Sequence, residues 1–258
     1  MSISTSIEKL STMYVDSNLE VSLEKILAKV TPFNDYSDSF NTSIGSYLVK
    51  RSLYNFFVAN ELTSAKQYFY LFGKTVCIDV EVFDNKDALF LNVRDCVFVL
   101  LSGQLSLISK FSNLKDSEYK ARLSKGALVP CIQAVIRDDW DFLASQITIC
   151  RSKIAETKNG KWINSDLEVL EGIMEKDSEK IKNAIYVLAN KEHKKRNDES
   201  ILNELISIPA LGYAKLAWLK GIEVEIDHPL IPKELLPVQP NEEYWEYDYM
   251  KEKEFKCN

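Results

Sequence analysis

Glycine and proline are scarce in this sequence, whose 258 residues include only 8 glycines and 7 prolines. Sandwiches and barrels of β-strands need many tight turns, and these two residues supply most turn conformations. Their scarcity argues against an all-β fold and favours helices. Four of the seven prolines nevertheless fall in one short stretch, as Pro229, Pro232, Pro237 and Pro240.

Several motifs that carry chemistry are missing. The chain contains no GxxxxGK[ST], GxGxxG or GxSxG sequence, which argues against a phosphate-binding loop, a dinucleotide fold and a nucleophile elbow. It has two histidines far apart in sequence and no CxxC pair, so a zinc site is not expected either. We therefore expect no cofactor and no catalytic residues.

The sequence also lacks signals for a membrane or an oxidising compartment. No apolar run is long enough to cross a bilayer, and the first residues have neither a basic nor an apolar signal region. Cys77, Cys96, Cys131 and Cys150 lie in apolar surroundings typical of buried, reduced thiols, whereas Cys257 near the terminus supports no interpretation. These features predict a cytoplasmic protein without membrane contact.

The net charge of −6 is confined to one end of the chain. Residues 222–258 hold ten acids and four lysines, a balance of 4 − 10 = −6, so the remainder is neutral. One basic cluster, KEHKKRND at 191–198, reads as a solvated helix end with His193 exposed. A sequence pI near 5.2 argues against binding nucleic acid, because such domains are usually basic.

Hydrophobic periodicity predicts helices along most of the chain. Residues 47–83 should form two helices that meet near Asn60, although the β-branched end at 76–83 could also form a strand. Single helices are predicted over 87–111, over 117–136 with Pro130 ending or kinking it, and over 199–220 closing at Gly221.

A repeated helical hairpin is indicated in the middle of the chain. RDDWDFLASQI at 137–147 aligns with EKDSEKIKNAI at 175–185, which places Asp139 and Asp177 at equivalent helix starts. SDLE at 165–168 has the pattern of a capping box. The predicted fold is all-α, an array of antiparallel helical hairpins of the tetratricopeptide or HEAT type.

Helical spacing stops at Gly221. IEVEID alternates apolar and acidic residues, and the four prolines that follow favour an extended path. Leu230, Ile231, Leu235 and Leu236 would hold this path on the helices. We predict a helical domain over residues 1–221, with residues 222–258 as an extended, proline-rich strap packed on it.

The end of the strap combines acids with aromatic residues. Solvating tails are poor in aromatics, whereas Trp and Tyr are enriched at binding hot spots. Packing on the protein's own helices explains the aromatics equally well. The candidate partner-binding residues are Glu223, Glu225, Asp227, Glu242, Glu243, Tyr244, Trp245, Glu246, Tyr247 and Asp248.

An aspartate-rich stretch leaves an enzyme as an alternative. RDDWD at 137–141 is similar to the magnesium motif of all-helical terpenoid synthases, which would make Asp138, Asp139 and Asp141 metal ligands. The third acid of that motif would fall on Phe142, and a helix cap explains these aspartates with less strain. A helical adaptor or regulatory scaffold is a further alternative.

The segment ALGYAKLAWLKGIEVEIDHPLIPKELLP at 210–237 resembles the C-terminal signature of the immunity-49 family of bacterial polymorphic-toxin immunity proteins. The hairpin around EGIMEKDSEKIKNAI is also similar to the middle region of that family. The resemblance implies a mostly helical cytoplasmic protein that neutralises a toxin encoded beside it by binding, without catalytic residues. A nuclease or another secreted effector would suit such a role.

Overall fold

The computed structural model describes residues 3–16, 38–85, 88–89, 93–156, 163–197 and 202–251. These residues form an all-α fold without a β-strand among them, as the composition and periodicity predict. None of the described helices combines the length and the apolar character needed to cross a bilayer. Cys257 lies outside the described residues.

In the first part of the chain, the described residues form α1 (Ile3–Asp16), α2 (Asp38–Phe57), α3 (Leu62–Phe83), α4 (Arg94–Leu101), α5 (Leu105–Ser112) and α6 (Tyr119–Ser124). The second part contains α7 (Leu128–Ile136), α8 (Trp140–Glu156), α9 (Asn164–Glu175), α10 (Ser178–Val187), a π-helical turn (Leu188–Glu192), α11 (His193–Arg196) and α12 (Ile208–Leu219). After α12, the described residues up to 251 form two short 3-10 turns, Lys233–Leu235 and Asp248–Met250.

The predicted pair of helices at 47–83 is confirmed. Helix α2 ends at Phe57 and α3 begins at Leu62, and Asn60 between them has the left-handed φ of 57°. Asparagine tolerates that conformation better than most residues. Helix α3 continues through Phe83, so residues 76–83 are helical despite their β-branched side chains.

Three predicted helices are shorter than expected because a glycine or proline ends or starts them. The helix at 87–111 is wrong, since Gly103 (φ 71°) separates α4 from α5, and residues 87 and 90–92 lie outside the described part. Gly126 (φ 74°) divides the predicted helix at 117–136 into α6 and α7. Pro130 and Pro209 lie in the first turns of α7 and α12, where a missing N–H breaks no helical hydrogen bond.

The two aligned hairpin segments do form helix pairs with matching starts. Asp177 caps α10 by accepting a hydrogen bond from the backbone N–H of Lys180, and Asp139 accepts one from Phe142 at the start of α8. The capping box is wrong, because α9 already begins at Asn164 and the Ser165 hydroxyl donates to Glu192 instead. The wider repeat arrangement stays a prediction.

The basic cluster at 191–198 is more buried than expected. The guanidinium of Arg196 donates to both carboxylate oxygens of Asp166, at 2.6 and 2.8 Å, and Asp166 is fully buried. His193 is also buried, which corrects the expectation of an exposed side chain, and burial lowers its pKa. This ion pair fastens the end of the helical run that begins at Ser178 to α9.

The centre of the core lies where α12 crosses α4. All residues from Ile208 to Ala217 are buried, and Cys96–Leu101 of α4 are buried as well. The backbones approach closely because Gly212 has no side chain: a Cβ added there would lie 2.1 Å from Cγ2 of Val97. Cys77, Cys96, Cys131 and Cys150 are buried and free, as expected for structural thiols.

The contact at Gly212 supports a stability prediction. We expect Gly212→Ala to lower the free energy of unfolding by about 1–3 kcal/mol, because Val97 leaves no room for a methyl group. Urea unfolding of Gly212→Ala, Val97→Ala and the double variant measures the effect. The double variant should be more stable than the sum of the single changes predicts, and strict additivity would contradict the proposed clash.

Candidate functional site

Residues 222–251, here called the C-terminal segment, first run along α10 and α12. Val224 and Ile226 are buried whereas Glu223, Glu225 and Asp227 are exposed, so the predicted alternation is present. The hydroxyl of Tyr186 in α10 accepts from the backbone N–H of Asp227 and donates to its carbonyl oxygen. Three acids are therefore presented to solvent from a backbone held on the helices.

The proline-rich part of the segment is fixed by apolar side chains. Ile231, Leu235 and Leu236 are buried, and Leu230 is partly buried. The backbone N–H of Ser207 donates to the carbonyl oxygen of Leu230 at 2.9 Å, just before α12 begins. Prolines offer no backbone donor, so this part of the segment depends on the helices for its remaining hydrogen bonds.

Two buried lysines supply those bonds. The ammonium of Lys215 in α12 donates to the carbonyl oxygens of Leu235 and Pro237 at 2.9 and 2.6 Å. Lys66 in α3 donates to the carbonyl oxygen of Gln239 at 2.8 Å. Burial, with a contribution from the positive charge of Lys66, lowers the pKa of Lys215 to about 7.

Beyond the prolines, the segment lies along α3. The side chain of Gln67 bonds the backbone of Trp245 twice, donating to its carbonyl oxygen (2.8 Å) and accepting from its N–H (3.2 Å). The Tyr244 hydroxyl donates to the carbonyl oxygen of Ser102 at 2.6 Å. Tyr249 and Met250 are buried. The acidic, aromatic stretch is therefore packed on the helices rather than detached from them.

The ten candidate residues divide into two sets. The half-buried set is Tyr244, Glu246 and Tyr247. The carboxylate of Glu246 forms an ion pair with Lys74 (3.1 Å) and accepts a hydrogen bond from the hydroxyl of Tyr70. Burial and this carboxylate raise the pKa of Tyr70. The exposed set is Glu223, Glu225, Asp227, Glu242, Glu243, Trp245 and Asp248.

Most of the exposed acids make no ion pair within the part of the chain that the structure describes. Glu223, Glu225, Glu242 and Glu243 make no ion pair with any described residue, whereas Asp227 lies 3.4 Å from Lys233 and Asp248 pairs with Lys251. Trp245 is 47% exposed and is, with Leu105, one of two large apolar side chains at the surface of the described chain. Trp is enriched at the hot spots of protein-binding surfaces, and exposed carboxylates would attract a partner with a basic surface.

The aspartates of the magnesium alternative have structural partners. Asp138 pairs with Lys220 at 2.7 Å, and Asp139 caps α8. Within the described ranges, no group of three His, Cys, Asp or Glu side chains is placed to hold a metal ion. The side chains of Asp138 and Asp139 are therefore explained by the fold without a ligand, and Asp141 is an exposed acid in the first turn of α8.

The sequence pattern did not predict the residues that hold the segment in place, among them Lys66, Gln67, Tyr70, Lys74 and Lys215. One signal was available, because Lys215 is the only charged residue in the otherwise apolar run IPALGYAKLAWL. A lysine at such a position must find carbonyl or carboxylate partners. Its partners lie 20 and 22 residues further along the chain, where periodicity gives no information.

The buried lysine predicts a pH dependence of stability. Lys215 binds its proton only below about pH 7 in the folded protein, whereas in the unfolded chain it keeps the proton up to about pH 10.5. Between these values the unfolded state holds more protons, so stability should rise with pH, by at most about 1.4 kcal/mol per unit from this group.

Urea unfolding between pH 7 and pH 9.5 measures this effect against Lys215→Met. Contributions from other groups, including the buried cysteines, cancel in the difference between the two proteins. The stability advantage of the wild-type protein over Lys215→Met should grow as the pH rises. Parallel stability curves would contradict a lysine whose pKa is lowered by folding.

Comparison with known proteins adds one match. A family model described as Immunity protein 49 matches residues 141–235, a range that begins in α8 and ends at Leu235. No curated protein and no solved structure matched the chain. Over residues 141–235, the resemblance predicted from the sequence to the Immunity protein 49 family is confirmed.

Proposed function

We propose that this protein is an immunity protein that binds a cognate bacterial toxin stoichiometrically and blocks it, without catalysis. The match to Immunity protein 49 supports the general role. The observation that carries the mode of action is the exposed Trp245, fixed at its backbone, together with the nearby Glu242 and Glu243, which are exposed and make no ion pair with any described residue. The partner would be a protein toxin encoded beside this gene and met in the cytoplasm.

The charge layout suits capture of a basic surface. Complementary charge raises association rates, up to about 10⁸–10⁹ M⁻¹s⁻¹ for strongly steered pairs. Glu223, Glu225, Glu242 and Glu243 are exposed and unpaired among the described residues, so their field is directed to solvent. A nuclease toxin, whose active site must attract a polyanion, would present such a basic surface.

A fixed binding surface also favours tight binding. Each flexible side chain or loop that becomes ordered on association costs affinity. The C-terminal segment is already held by Lys215, Lys66 and Gln67, so little ordering would remain. The alternative of a helical adaptor has no comparable surface observation in its favour, and gene neighbourhood separates the two functions.

The proposal is tested by producing the protein together with the toxin domain encoded beside it. Wild-type protein should restore growth and form a 1:1 complex with the purified toxin domain. Persistent toxicity together with the absence of a complex would refute the immunity role.

Charge reversal at Glu242 and Glu243 tests the steering. We expect Glu242→Lys/Glu243→Lys to lower the association rate about tenfold or more at low salt and to flatten its salt dependence, measured by stopped-flow or biolayer interferometry. Glu246 is left unchanged because it pairs with Lys74. Deletion of the segment's end is avoided because Tyr249 and Met250 are buried.

The matched control is Asp141→Lys/Glu179→Lys, which makes the same charge change at exposed positions on α8 and α10. This control should change the association rate much less than the variant in the segment. Equal effects of the two double variants would show that only net charge matters, and the assignment of the binding surface to the C-terminal segment would fail.

A further inference from the structure

An open cavity of about 320 Å³ lies between α2, the start of α3 and the C-terminal segment. Arg51, Glu61, Gln67, Tyr68, Glu243 and Trp245 are among the residues that line it. Pockets that take whole small-molecule ligands measure about 300–1,000 Å³, so this cavity is at the small end of that range. It has room for one long side chain.

The aromatic wall of the cavity is fixed in position. The Trp245 indole meets the ring of Tyr68 edge-on at 6.1 Å and that of Tyr247 at 5.0 Å. Gln67 holds the Trp245 backbone at both its N–H and its carbonyl oxygen. The indole is nevertheless about half exposed, so one side of it is available to a partner.

The charge accessible at the mouth of the cavity is negative. Glu61 and Glu243 are exposed and make no ion pair with any described residue, and the carboxylate of Glu61 accepts a hydrogen bond from the hydroxyl of Ser64. Arg51, the one cation among the described lining residues, is half-buried and packs over the rings of Tyr68 (5.5 Å) and Tyr54 (5.9 Å). A ligand that enters therefore meets an indole and two carboxylates first.

We propose that this cavity is the socket for an arginine side chain of the toxin, an inference that rests on the proposed function. A planar guanidinium stacks on an aromatic ring and pairs with carboxylates through two parallel hydrogen bonds, which a lysine ammonium cannot do. Trp245 would supply the stacking surface, and Glu61 and Glu243 the acceptors. The socket adds residues of α2 and α3 to a surface otherwise formed by the C-terminal segment.

Truncation of Trp245 tests the socket in the full-length complex. We expect Trp245→Ala to raise Kd about 30-fold or more, chiefly through faster dissociation, as at a hot-spot residue. Leu105→Ala, which truncates the other exposed apolar side chain outside the cavity, should leave Kd within about twofold. Replacement of one toxin arginine by Ala should raise Kd by a similar factor. Combined with Trp245→Ala, the same replacement should raise Kd no further.

Neutralisation of two acids separates the socket from general steering. Glu61→Gln/Glu243→Gln should raise the dissociation rate of the complex. Glu223→Gln/Glu225→Gln, which removes the same charge outside the cavity, should change only the association rate. If the wild-type protein neutralises the toxin but the Trp245 and Glu61/Glu243 variants do so equally well, the socket is refuted and the general immunity role stands.

A second measurement does not require the toxin. N-acetyl-arginine amide, titrated into the free protein, should shift the indole N–H resonance of Trp245 in a saturable way, with Trp245→Phe used for assignment. The shift should disappear in Glu61→Gln/Glu243→Gln and be absent with N-acetyl-glutamine amide. The same shift with glutamine amide, or a shift with N-acetyl-glutamate amide instead, would overturn the inference whatever the toxin does.

Discussion

The placement of the C-terminal segment depends on the buried ammonium of Lys215. Prolines remove backbone donors from the segment, so its carbonyl oxygens cannot be satisfied by a β-ladder and must find donors on the helices. Lys215 donates to two of these oxygens, and Lys66 donates to a third. Even a neutral Lys215 amine keeps two N–H donors, one for each carbonyl, which reconciles its lowered pKa with its contacts. The path of the chain towards Trp245 follows from these bonds.

The same constraint decides which acids face the solvent. With the backbone of Trp245 bonded to Gln67, the next residue, Glu246, reaches Lys74 and Tyr70 and is neutralised. Glu242 and Glu243 are exposed without an ion pair to the described chain. Within one short acidic stretch, Glu246 therefore holds the segment on the helices, whereas Glu242 and Glu243 stay exposed to solvent. Charge counting finds the stretch but cannot assign these uses.

Periodicity predicted the helical class and several local features, including the break near Asn60 and the cap at Asp177, because these depend on neighbours in sequence. It failed at 87–111, where a nearly uniform apolar run hides the turn at Gly103. It also misjudged Arg196, whose partner Asp166 is thirty residues away and removes it from solvent. Of the candidate site, composition found Trp245 and the acids, whereas the helical residues around them required the fold.

The proposed binding surface would be costly for the free protein and useful on association. Four exposed carboxylates that make no ion pair with any described residue lie on an anionic segment, and their mutual repulsion opposes a compact structure. The buried contacts of Ile231, Leu235, Leu236, Tyr249 and Met250 offset that repulsion and hold the indole at the surface. A basic partner would relieve the repulsion and cover the indole in one step. Preorganisation by buried lysines and release of charge repulsion would thus both favour a tight complex over a transient one.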